Sequence, residues 1–297
     1  MLRRSLIEVY LQANRRVWKL LPSMFLNSEL ILSYGTFLQK LIRCSSKRRQ
    51  YIGTFFFRNR PQLELMCRLV ELNPSNSNLR IAVLGCSIGA EVYSILWTLR
   101  SARPDLKVQL CAVDVSSEVL SVAREGVYTG NASDFGGGGS IFERMTKEEL
   151  EEMFEWKGRE ARVRPWIREG IRWQVGDVND PELIDILGPQ DIVVASNFLC
   201  HMEPLDAENC LYKIAGLVKP GGYLFVSGVD LDVRAKVTSD LGWRPVPELI
   251  EEIHDGDPSV RGDWPWQWWG LEPLNKRKYN WQMRYAAVFQ QDNRVVQ

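Results

Sequence analysis

The spacing of apolar positions changes character along the chain. Over residues 2–21 the side chains Leu2, Leu6, Val9, Leu11, Val17, Leu20 and Leu21 recur at helical spacing among Arg, Gln and Asn. An amphipathic helix is predicted there, stopped by Pro22. Residues 25–44 predict a second helix bent at Gly35, and the polar run SSKRRQ after it reads as a break. From residue 79 short apolar runs alternate with helical patterns. LRIAVLG (79–85), KVQLCAVD (107–114), GIRWQVGD (170–177), QDIVVASN (190–197) and GGYLFVSG (221–228) predict strands, with helices at 89–102, 116–127, 181–188 and 207–218 between them. This alternation gives βαβ units with right-handed crossovers, and hence an open, doubly wound α/β sheet. Residues 279–289 predict a terminal antiparallel strand at the sheet's far edge. Between about 129 and 170 the alternation is interrupted by an acidic helical pattern (146–158) and a short basic alternation (159–168), read as an inserted subdomain. The stretch GGGGS (136–140) has the composition of a flexible linker and is given no functional weight.

Charge adds an asymmetry to this picture. Lys plus Arg and Asp plus Glu each number 37, so the formal net charge is zero, which disfavours a uniformly basic nucleic-acid binder. Residues 1–60, however, hold twelve basic and two acidic residues, leaving +10 there and −10 over the remainder. Residues 1–50 are read as a basic helical lobe whose charge is either a solvated face or a steering surface. The six cysteines include no C-x-x-C pair and the only histidines are His201 and His254, so no metal site is expected. Reduced thiols in a cytoplasmic protein are the expectation. No apolar run approaches the ~20 residues of a membrane span.

Ligands of open α/β sheets bind beyond the carboxyl ends of the strands, near the point where strand order reverses. The first strand runs into Gly85-Cys86-Ser87-Ile88-Gly89, whose small residues let backbone approach a ligand at a helix N-terminus. The second strand ends at Asp114, placed to accept ribose hydroxyls of a nucleoside. Without G-x-G-x-x-G, this combination disfavours NAD and favours S-adenosylmethionine (SAM).

At these residues the chain resembles the chemotaxis-receptor glutamate methyltransferases (CheR-type), a branch of the SAM-dependent enzymes. Thr54-Phe55-Phe56-Phe57-Arg58 looks like the family's T-x-F-F-R, and Ser87 to Ile95 is similar to its S-T-G-E-E-P-Y-S-I. Asp114-Val115 with Leu120, Ala123-Arg124 and Gly126-Val127-Tyr128 follows its D-I-D-x-x-x-L-x-x-A-R-x-G-x-Y. The insert looks like the family's β-subdomain, with Leu150 and Phe154 on the helix before it; Ser196-Asn197 stands at its R-N, and Leu217 to Gly222 matches L-L-K-P-x-G. The resemblance implies a Rossmann-like class I SAM methyltransferase sheet over residues 51–297, with a Trp-rich C-terminal segment (243–297) and the basic lobe in the place of a substrate-recognition domain. It implies that Thr54 and Arg58 hold the methionyl carboxylate of SAM, that Glu91 pairs with its amino group, and that Gly85, Ser87 and Gly89 form the cofactor loop. It further implies that Asp114, beside Val115, binds the ribose, that Asp177, Val178 and Asn179 flank the adenine, and that Asn197 lines the reaction centre.

The chain departs from the family at Ile52, Ala90, Ser196 and His201, where the family carries Asn, Glu, Arg and Tyr. His201 is read either as a loop residue bonded to backbone or as a general base, in which case the acceptor is a hydroxyl, phenol or amine, since a carboxylate needs none. Trp264, Trp266, Trp268 and Trp269 read either as a lid packed over the sheet or as an aromatic substrate wall. Three readings stay open at this point: methylation of an acidic protein segment, methylation of a small molecule, and SAM binding without transfer.

Overall fold

The computed structural model describes residues 2–26, 28–45, 52–72, 78–130, 140–256, 264–266 and 272–292. The GGGG run and Trp268 and Trp269 lie outside these residues. The strands are β1 (Asn78–Leu84), β2 (Lys107–Asp114), β3 (Val127–Thr129), β4 (Phe154–Lys157), β5 (Glu160–Val163), β6 (Ile171–Val175), β7 (Gln190–Ser196), β8 (Val218–Ser227), β9 (Arg244–Pro245) and β10 (Val288–Gln290). Seven of them form one sheet in the order β6-β2-β1-β7-β8-β10-β9, and β3-β5-β4 form a second. In the large sheet β6, β2, β1, β7 and β8 run parallel, while β10 is antiparallel to both β8 and β9. Strand β7 is buried at every position, as a central parallel strand covered on both faces must be. Strand order reverses beside β1, which pairs with β2 on one side and β7 on the other, so the loops after β1 and β7 meet at the switch point.

The helices are α1 (Leu2–Lys19), α2 (Ser23–Leu26), α3 (Glu29–Ser45), α4 (Arg60–Glu71), α5 (Ala90–Ala102), α6 (Ser117–Glu125), α7 (Lys147–Met153), α8 (Pro165–Arg168), α9 (Pro181–Leu187), α10 (Pro204–Ala215), α11 (Leu231–Asp240), α12 (Ile250–Asp255) and α13 (Trp281–Tyr285). Two apolar layers cover the sheet, one holding Phe56, Met66, Tyr93 and Leu96, the other Leu187, Leu199, Leu211 and Phe289. Helix starts follow local chemistry. Ser116 accepts from Val119 N, and Thr146 with Glu149 closes a reciprocal capping box on α7. Helix α4, which the apolar spacing did not bring out, announces itself through Asn59, whose side chain accepts from Gln62 N, and Pro61 in the first turn.

Three expectations are corrected. Residues 279–289 are not one edge strand: Trp281–Tyr285 is helical, and β10 lies between β8 and β9 rather than at the edge. The acidic helix stops at Met153 and Phe154 opens β4, because Phe154 turns inward onto Phe56, their rings 5.2 Å apart. Helix α3 runs unbroken through Gly35, whose missing side chain makes room for the ring of Trp266. Trp266 and Trp264 meet Trp18 edge-on at 6.3 and 5.9 Å, so these two tryptophans pack on α1 and α3 rather than over the sheet. The lobe is tied to the rest of the molecule by Lys40 with Asp232 (3.0 Å) and Arg43 with Asp230 (3.5 Å). Among the described residues no helix is long and apolar enough to cross a membrane.

Candidate active site

The loop after β1 is held by its own backbone and by one carboxylate. Asp114, at the end of β2, accepts from Ser87 N (2.8 Å) through one oxygen and from Ser116 N (3.0 Å) through the other. A carboxylate has further lone pairs, so Asp114 keeps acceptor capacity toward the cavity it lines. Gly85 has φ +67°, and a Cβ there would sit 2.8 Å from the ring of Phe198. Ser87 adopts φ +50° and its hydroxyl donates to Ile52 O (2.5 Å), drawing residues 52–54 across the loop.

The segment that follows is clamped by the insert. Phe56 stacks on Phe142 at 5.6 Å and meets Tyr128 edge-on at 5.4 Å; its N–H donates to Ile141 O. Tyr128 on β3 donates in turn to Ile88 O (2.7 Å), so the small sheet braces both the aromatic segment and the cofactor loop. Phe57, at φ +51°, donates its N–H to Ser94 Oγ (3.0 Å). These contacts aim the neighbouring Arg58, whose Nη2 donates to Gly53 O and whose guanidinium lies 5.3 Å from the Phe55 ring.

The loop after β7 carries Asn197 at φ +58°, its N–H donating to Ser227 O. Gly228 (φ +59°) makes this possible, because a Cβ there would run into Asn197 itself. Strained backbone at Ser87 and Asn197 thus lies at one cavity, the distribution expected where geometry serves a ligand.

That cavity has a volume of about 300 Å3, at the lower end of the range for small-molecule sites. It brings together Thr54, Arg58, Gly85, Ser87, Glu91, Asp114, Val115, Asp177, Val178, Asn197 and His201 from the sequence-derived candidates. A smaller pocket of about 50 Å3 shares Arg58, Glu91, Ser196 and Asn197 with it and continues past them to Arg234, His254 and Tyr285. A family profile described as the CheR methyltransferase SAM-binding domain matches residues 53–234, the span containing all these candidates.

The chain belongs to the CheR methyltransferase family.

Among its relatives, the probable biofilm formation methyltransferase WspC of Pseudomonas aeruginosa is 28% identical over 65% of this chain and 44% of that protein. Chemotaxis protein methyltransferase 1 of the same organism is 31% identical over 58% of this chain and 64% of that protein. The chain therefore spans between about two fifths and two thirds of the length of these relatives. A solved magnesium protoporphyrin IX methyltransferase from Synechocystis with bound SAM is similar at 14% identity, covering 62% of this chain and 68% of that one, with a TM-score of 0.36, too low to carry an argument.

The residues of this CheR-family chain fit SAM: an acceptor for ribose hydroxyls at the end of β2, a loop of small residues after β1, and charged groups of both signs, Arg58 and Glu91, at one end of the cavity. Two candidates lie outside its walls. Gly89 (φ +88°) is a packing position, where a Cβ would come within 3.1 Å of Ala123 and of the Trp173 ring. Asn179 is exposed; its N–H donates to Asp177 Oδ1 (2.8 Å) and its carbonyl accepts from Lys213 (3.1 Å). His201 ends a short 3-10 turn and lines the larger cavity beside Phe198 and Met202, not the smaller pocket. His254, read from sequence as a loop residue, is buried on α12, its Nε2 2.9 Å from Glu272 O. Phe198 and Met202 were missed as cavity walls, although both lie in the loop that follows a buried parallel strand at the switch point. Arg234 was missed altogether.

Proposed function

We propose that this CheR-family protein transfers the methyl group of SAM to a carboxylate of an acidic protein segment. The observation that carries the reading is the charge of the inner pocket. Two arginines, Arg58 and Arg234, line it against one carboxylate, Glu91, so the site has unbalanced positive charge that a carboxylate acceptor would neutralise. When bound, SAM supplies a methyl carried on a sulfonium; the acceptor oxygen takes it, the carbon–sulfur bond breaks, and sulfur keeps the electron pair. A carboxylate acceptor has no proton to lose, and the placement of His201 off the inner pocket agrees with a reaction that needs no base. The protein's task is then alignment and exclusion of water.

In this reading Asp114 accepts from the ribose hydroxyls, Thr54 and Arg58 hold the methionyl carboxylate and Glu91 its ammonium. Asp177 and Val178 flank the adenine, and Asn197 orients the acceptor. The names of the relatives, a chemotaxis protein methyltransferase and a biofilm formation methyltransferase, support a protein acceptor. The basic helix α1 would draw an acidic segment toward the site. A cytosolic setting suits six cysteines that are not joined in disulfides. The small-molecule reading loses one support, because Trp264 and Trp266 pack against the helical lobe and line neither cavity described above. Incubation with methyl-labelled SAM and acidic protein tests the proposal: label that alkali releases as methanol is the expected product, and alkali-stable label would refute it.

A further inference from the structure

Arg234 is 2% exposed, yet no carboxylate meets it among the described residues. Its Nη1 donates to Val226 O (3.3 Å) and its Nη2 to Arg284 O (2.9 Å). Its third donor, Nε–H, is buried and has no partner in the structure, and the same holds for the hydroxyl of Ser196, a residue 9% exposed at the end of β7. Both residues line the inner pocket together with Asn197. An unmet buried donor destabilises the fold, and a buried cation without a counter-ion does so more strongly. Here two unmet groups belong to residues that line one void. Its volume, about 50 Å3, exceeds the ~30 Å3 share of a single water and admits a carboxylate group. Burial and the neighbouring Arg284 cation pull the Arg234 guanidinium down to about 9, which leaves it charged at neutral pH.

We propose that Arg234 and Ser196 form the subsite that receives the acceptor's carboxylate. The proposal rests on the carboxylate reading of the function and adds the residues that select for it. One carboxylate oxygen would accept from Arg234 Nε–H and from Ser196 O–H, leaving the other, on the Asn197 side, to form the bond to the methyl carbon. Sulfur retains the electrons of the broken bond and no proton moves. A neutral amide or alcohol in the same place would leave the guanidinium unneutralised, so the subsite discriminates by charge.

The test uses the full chain loaded with S-adenosylhomocysteine and a capped glutamate, N-acetyl-glutamate methylamide, as the carboxylate probe. Arginine Nε–H resonances are followed in 1H–15N spectra, and that of Arg234 is assigned by its loss in Arg234→Lys. The expected result is a saturable shift of this resonance with the capped glutamate and none with the capped glutamine. Ser196→Ala, which removes only a hydroxyl, weakens probe binding about fivefold, and Arg234→Lys weakens it about tenfold or more. Affinity for S-adenosylhomocysteine stays within about twofold in both variants. Absence of saturable probe binding at tens of millimolar, or binding that neither shifts the resonance nor responds to Ser196→Ala, overturns the subsite. Loss of S-adenosylhomocysteine affinity in place of probe affinity would assign Arg234 to the cofactor and also overturn it. If the wild type makes an alkali-labile product while the variants transfer normally, the subsite falls and the function stands; an alkali-stable product removes the function itself.

Discussion

Two arginines, Arg234 buried and Arg284 partly buried, sit side by side in this molecule and are treated in opposite ways. Arg284, at the junction of lobe, tail and sheet, is gripped by Glu272 at 2.5 and 2.9 Å and by Asp232 at 2.7 Å. Tyr285 and Thr36 complete the shell of Glu272, at 2.7 and 3.1 Å, and Lys40 reaches Asp232. Arg234, whose Nη2 donates to the backbone carbonyl of Arg284, meets a second carbonyl, Val226 O, and no carboxylate among the described residues. The first cation is neutralised and serves as a rivet joining α3, the tail and α11. The second keeps its charge toward a pocket that opens on the cofactor cavity. The difference separates a structural charge from a functional one: both are withdrawn from solvent to a large degree, and the missing counter-ion at Arg234 marks the site.

The comparison breaks most visibly at the rivet. Glu272→Gln removes one partner of a buried pair and is expected to destabilise the fold by about 3 kcal/mol in chemical denaturation, while cofactor affinity of the folded protein stays unchanged. A loss of less than about 1 kcal/mol would mean that Arg284 is no rivet. The same pair sets an acid limit. Burial alone would raise the Glu272 carboxyl, but hydrogen bonds from Arg284 and Tyr285 pull it down to about 2. A carboxylate depressed in the folded state contributes stability that is complete above its ordinary range near 4.5 and fades as pH falls toward 2. Stability should therefore drop across that window in the wild type and much less in Glu272→Gln.

On the site side the expected effects are smaller. Asp114→Ala frees Ser87 N–H and Ser116 N–H and removes the ribose acceptor, and should weaken S-adenosylhomocysteine binding about tenfold, read by calorimetry. Unchanged affinity would place the ribose elsewhere. His201→Ala should alter alkali-labile methyl transfer by no more than about threefold; a hundredfold loss with intact cofactor binding would make His201 a base and move the acceptor to a hydroxyl.

The central parallel strands were legible because burial on both faces turns them into apolar runs bounded by turn residues, as at LRIAVLG and QDIVVASN. The loop after β1 and Asp114 were legible for the same reason, since their place is fixed by where those strands end. The tail was not. Residues 279–289 look like a strand locally, yet 281–285 coil into α13, where Arg284 and Tyr285 both reach Glu272, a tertiary demand that no local spacing reveals. Gly89 illustrates a quieter miss: a glycine beside a cofactor loop is read as making room for ligand, and here it makes room for Ala123 and Trp173. Arg234 is the deepest miss. In LDVRAKVTSD an arginine looks like the solvated face of a helix, and nothing in its neighbours says that α11 turns it inward.

The most direct test of the account is transfer of labelled methyl from SAM into a size-fractionated lysate of the source cells, followed by alkali. The account predicts label in the protein fraction, released as methanol. Label confined to small molecules, or resistant to alkali, would contradict it.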